Sequence, residues 1–169
     1  MFKKITAAAA LIIASSAAFA AQPGTVYVGA DVGKTKIDDI SGRATSAGAF
    51  VGYNFHQNVA IEAGYRRLGD YEFSGAGVRG DVDLDQASLS LVGSLPLSGG
   101  FSVLGRLGYN RVEADAKVRG FGGAKEHDSN ALVGIGVGYA FSPALSARLE
   151  LQRPGSDASN LSVGVAYQF

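Results

Sequence analysis

The chain has 169 residues, 15 basic and 15 acidic side chains and no cysteine. This length bounds a single domain, the charge balance argues against a nucleic-acid partner, and the lack of cysteine excludes disulfides and a lipoprotein anchor. Beyond the first twenty residues no apolar run reaches the roughly eighteen residues of a spanning helix, so any membrane crossing there must be made by strands.

In chain order, residues 1–20 read as a secretory signal peptide. Lys3 and Lys4 form a positive start, Ile5 to Ala14 an apolar core, and Ala18-Phe19-Ala20 a small-x-small cleavage site, so residues 21–169 form the expected domain. That domain repeats segments of about ten residues with period-two alternation, separated by polar stretches. Eight segments are expected, over 25–33, 46–55, 59–68, 84–95, 101–112, 130–141, 145–152 and 160–169. An even number suits a closed antiparallel barrel.

The alternation separates large apolar residues from small and polar ones. Over 145–152, Leu145, Ala147, Leu149 and Leu151 face one way, and Ser146, Arg148, Glu150 and Gln152 the other. Over 160–169, Leu161, Val163, Val165, Tyr167 and Phe169 oppose Ser162, Gly164, Ala166 and Gln168. An eight-stranded barrel has little interior volume, so the large set belongs outside, against lipid. An eight-stranded up-and-down transmembrane β-barrel is therefore expected.

Three strands end on the phrases Gly52-Tyr53-Asn54-Phe55, Gly138-Tyr139-Ala140-Phe141 and Ala166-Tyr167-Gln168-Phe169. With Phe101 they predict an aromatic ring at one rim, and Tyr65 and Tyr109 predict one at the other. The connections at the first rim are short (56–58, 96–100 and 142–144). Those at the second are expected to be long polar loops over 34–45, 69–83, 113–129 and 153–159. Short turns predict the periplasmic side, which also places both termini there, and long loops the extracellular side.

Taken together, these residues resemble the transmembrane barrel of the outer-membrane protein A family. Residues 47–68, reading AGAFVGYNFHQNVAIEAGYRRL, resemble that family's second hairpin. Leu104 to Gly108 resembles its fifth strand, and Ala140-Phe-Ser-Pro143 with Ala147-Arg-Leu-Glu150 its last full hairpin. The likeness covers about residues 24–169. Many members continue into a peptidoglycan-binding domain, which is not expected here, so cell-wall tethering is not carried over. Gly164, Tyr167 and Phe169 resemble the signal read by the barrel-assembly machinery on a last strand.

The inward parity collects Asp31, Glu62 and Glu150 with Arg66, Arg106 and Arg148, three acids and three bases. Charges in a narrow lumen must be paired, so this set is either a structural plug or a gate. The resemblance implies a central gate pair at Glu62 and Arg148. The family's alternative partners fall where this chain has Val92 and Gly138, leaving Arg106 to serve. The inward glycines 48, 52, 64, 108, 134, 136 and 138 are expected to leave room for water beside Phe50 and Leu104.

Arg67 and Arg111, just beyond Tyr65 and Tyr109, are candidate contacts to lipopolysaccharide phosphate, or plain solvated rim charges. Glu113, His127 and Ser129 resemble the arrangement of outer-membrane lipid A deacylases, with a polar loop base as the simpler reading. No metal cluster or phosphate loop occurs, and no cofactor is expected. The sequence thus predicts a monomeric, non-enzymatic barrel with a structural role and loops open to a host or phage ligand. A narrow passive channel is the alternative.

Overall fold

In a computed structural model, residues 22–37, 44–75, 78–118, 121–155 and 158–169 are described, with side chains except at 37, 69–83 and 114–127. The expected signal peptide lies outside them. Eight strands run β1 (Thr25–Ile37), β2 (Ala44–His56), β3 (Val59–Gly75), β4 (Val78–Pro96), β5 (Phe101–Val118), β6 (Phe121–Ala140), β7 (Leu145–Arg153) and β8 (Ala158–Gln168). Each pairs antiparallel with the next, and β8 returns to β1 through Val32↔Val163, closing the barrel. Closure leaves no edge in the wall, the condition for crossing a bilayer with strands.

The alternation is realised in the inverted sense. Leu107 and Ile135 are 64 % and 63 % exposed, and Val32, Leu89, Val163 and Val165 are exposed on the same outer surface. The buried positions hold Thr35, Ser46, Asn160 and Glu62 instead. Each large apolar side chain left in water forfeits about 1.5–3 kcal/mol of burial energy. A continuous belt of them is stable only where acyl chains are the solvent.

The four expected loops are corrected. β3 and β4 stay paired up to Gly75↔Val78, and β5 and β6 up to Val118↔Phe121, so most of 69–83 and 113–129 is ladder rather than loop. β1, β2, β7 and β8 stop lower, at Ile37, Ala44, Arg153 and Ala158. Backbone pairing needs no particular side chain, so the ladder continues past the point where the apolar alternation of the sequence ends. Residues 38–43, 76–77, 119–120 and 156–157 lie outside the described part. At the other rim the connections are short, with a 3-10 turn at Ser98–Gly100.

Candidate functional site

The bore is crossed at mid-height by the six charged residues, and the register explains how they fit. Arg106 on β5 lies opposite Gly134, Glu150 on β7 opposite Gly136, and Arg148 opposite both Gly138 and Gly164. A long charged side chain thus has a neighbour without one, and room to lean across the lumen. The space beside two of the inward glycines is instead filled by a neighbouring side chain. At Gly48 an added Cβ would meet the Arg66 side chain, and at Gly52 the Tyr27 ring.

Glu62 is the hub. Arg106 Nη2 donates to its Oε1 at 2.7 Å and Arg148 Nη1 to its Oε2 at 2.7 Å, and the Tyr27 hydroxyl donates to the same Oε2 at 3.0 Å. Arg106 also donates from Nε to Glu150 Oε1, and from Nη1 to Ser90 Oγ at 2.6 Å. Arg148 keeps a longer approach to Glu150, 3.7 Å, and its guanidinium lies 3.6 Å from the centroid of the Phe50 ring. Nearer the long-hairpin end, Arg66 binds Asp31 through two parallel bonds of 3.1 and 2.8 Å. The third donor of Arg66 reaches Gln152 at 2.9 Å and Asn160 at 3.0 Å, and Gln152 donates onward to Glu150 at 3.0 Å.

All six predicted charges therefore belong to one lattice. Its energetics follow from burial: an isolated ion here would cost several kcal/mol, and bidentate pairs with supplementary hydrogen bonds offset that cost. Sequence reasoning misses four of the partners: Tyr27, Ser90, Gln152 and Asn160. Their inward parity is readable, but neutral side chains on that parity carry no charge to mark them. Asn160 in turn donates to Thr35 and Ser46, filling the bore above the charges.

The lattice leaves little space. A cavity of 20 Å³ lies among Asp31, Phe50, Glu62, Arg66, Arg106 and Arg148, enough for about one water molecule. At the short-turn end the lumen opens into a cavity of 170 Å³ bounded by Tyr27, Ala60, Val92, Leu104 and Arg148. At the other end Asn110 Nδ2 donates 2.8 Å to the carbonyl of Pro154, drawing the β7–β8 connection over the bore.

On the outer surface Tyr53, Phe55, Phe101, Tyr139, Phe141, Tyr167 and Phe169 are exposed at the short-turn rim, and Tyr65 and Tyr109 near the other. Phe101 and Tyr139 are register partners with ring centroids 4.8 Å apart. Arg67 and Arg111 are exposed beyond Tyr65 and Tyr109, each near an acid: Asp85 at 3.8 Å and Glu113 at 3.4 Å. Register places Glu113 opposite His127 and Arg111 opposite Ser129. The His127 side chain lies outside the described part, and the Glu113 carboxylate faces Arg111, so no nucleophile–base contact is established. Gly164 lies opposite both Asp31 and Arg148, and the Phe169 amide closes on the Val26 carbonyl at 2.9 Å. Among the described residues no group of acids and histidines is placed to hold a metal.

Residues 6–169 match the family model described as "Outer membrane protein beta-barrel domain". Outer membrane protein A of Shigella flexneri is 31% identical over 99% of this chain, and that of Yersinia pseudotuberculosis 31% over 98%. These alignments cover 56% and 54% of the relatives, so the chain spans about half their length. Among solved structures, the N-terminal barrel of Pseudomonas aeruginosa OprF superposes with a TM-score of 0.63 at 18% identity, over 87% of this chain and 98% of that one. Neisserial surface protein A superposes at 0.59 and 21% identity, over 85% and 97%. At such identities the structural likeness is one of fold.

Proposed function

The chain belongs to the outer-membrane β-barrel family, and on that premise we propose that it is a closed, non-conducting barrel that reinforces the membrane and presents its long hairpins at the cell surface. One observation carries this reading: the lattice of Glu62, Arg106, Arg148 and Glu150 spans the bore with every charge paired, leaving room for about one water. Ion passage would require several of these contacts to break together.

In this reading residues 1–20 are removed on export, the short turns and both termini are periplasmic, and the hairpins β3–β4 and β5–β6 are extracellular. The two sets of exposed aromatics serve as interfacial girdles. Arg67 and Arg111 meet lipopolysaccharide phosphate just above the outer girdle, where an arginine costs about 0–1 kcal/mol against 2–4 at the midplane. Gly164, Tyr167 and Phe169 present the last strand to the assembly machinery. Adhesion to a host or phage surface would fall to the protruding hairpins.

Single-channel recording in planar bilayers tests the central point. The wild type should be silent at moderate voltage, and steady conductance that changes on Glu62→Ala or Arg148→Ala would establish the channel reading instead.

A further inference from the structure

The two halves of the lumen differ in kind. Above the charge lattice the bore is filled by Thr35, Ser46, Asn110, Leu132 and Asn160, all nearly inaccessible. Below it lies the 170 Å³ cavity at the short-turn end. Its wall is mainly hydrocarbon, from Ala60, Val92, Leu104, Ala166 and the Tyr27 ring, with Asn54, Ser94, Ser102, Ser146 and Gln168 as the polar points among them. Its floor is the Arg148 guanidinium, already committed to Glu62 through two hydrogen bonds.

We propose that this blind cavity is a binding site for a small neutral amphipathic molecule entering from the short-turn end. Size sets the first limit, since an apolar cavity of about 150 Å³ accepts benzene. Charge sets the second: the floor pair is internally neutralised, and an ionic ligand would have to compete with Glu62 for Arg148. The lining sets the third. A mostly apolar wall with a few fixed polar atoms binds by burying hydrocarbon and orients through one hydrogen bond, here to Ser102 or Ser146. The ligand class is therefore a single ring or short branched chain bearing one hydroxyl. The site lies to one side of the charge lattice, so filling it requires none of the lattice contacts to break, and its test is separate from that of conductance.

Benzyl alcohol is a suitable probe, titrated into the full mature barrel in nanodiscs while the methyl resonances of Ala60, Val92 and Leu104 are followed by NMR. Saturable shifts confined to these methyls, absent at Leu132, are expected. Ser102→Leu and Ala166→Leu each place a larger side chain in the cavity and should weaken binding at least tenfold, with folded gel mobility retained in at least one of them. Shifts that rise linearly without saturation, equal in the wild type and both variants, would mean partition into lipid only and overturn the proposal. Saturable binding unchanged in both filled variants would overturn it as well.

Discussion

Arg106 has all three guanidinium nitrogens engaged, with Nε and Nη2 on Glu150, Nη2 also on Glu62, and Nη1 on Ser90. Removing it leaves Glu150 with Gln152 and only a long approach to Arg148, so that one cation serves two buried carboxylates. Arg106→Met should therefore destabilise the barrel by about 3–5 kcal/mol, the usual penalty for breaking a buried pair from one side. Heat-modified gel mobility across a urea series reads this, and adding Glu150→Gln should recover part of the loss. Toward the long-hairpin end, the Asp128 carboxylate accepts from the Asn130 side-chain amide at 2.9 Å and the Ser129 amide at 2.8 Å. The Asn130 bond first, then the Ser129 amide, holds the Asp128 carboxyl below its usual value. A depressed carboxyl stabilises the fold above its unfolded pKa, and that contribution is lost as pH falls through the folded value. NMR titration should find the Asp128 carboxyl moving upward in Asn130→Ala.

Two glycines show how the strands divide their faces. Gly52 faces inward on β2, where an added methyl would run into the Tyr27 ring, whereas Gly105 faces outward on β5 with nothing within 4 Å. Gly52→Ala should cost about 1–3 kcal/mol by overpacking, and Gly105→Ala should be neutral or stabilising by about 0.4–1 kcal/mol. Equal effects in urea titration would contradict the assigned faces. Strand number, order and facing are readable from the sequence because lipid and lumen impose opposite demands on alternate residues. The strand ends are not. At Asp70↔Asp83 and Asp83↔Asp115 the backbone ladder persists through acidic residues, where the sequence carries no apolar alternation to mark it. Likewise, parity places Glu62 and Arg106 in the lumen, but their contact depends on side-chain reach across the bore, which a sequence does not encode locally.

For the whole molecule, a closed wall, a belt of exposed aliphatic residues and a neutral charged lattice support one another. The belt requires lipid, lipid requires a wall without edges, and the narrow interior leaves the polar residues only one another as partners. The long hairpins β3–β4 and β5–β6 then rise on one side, above the charge lattice that crosses the bore. The deepest commitment is the reversed polarity, and the lack of native cysteine makes it accessible to single-cysteine spin labelling. Labels at Leu89, Leu107, Ile135 and Val163 in lipid vesicles should relax rapidly with oxygen, which concentrates among acyl chains, and hardly at all with an aqueous nickel chelate. If those four positions instead respond to the nickel reagent and not to oxygen, the apolar face does not meet lipid and the account fails.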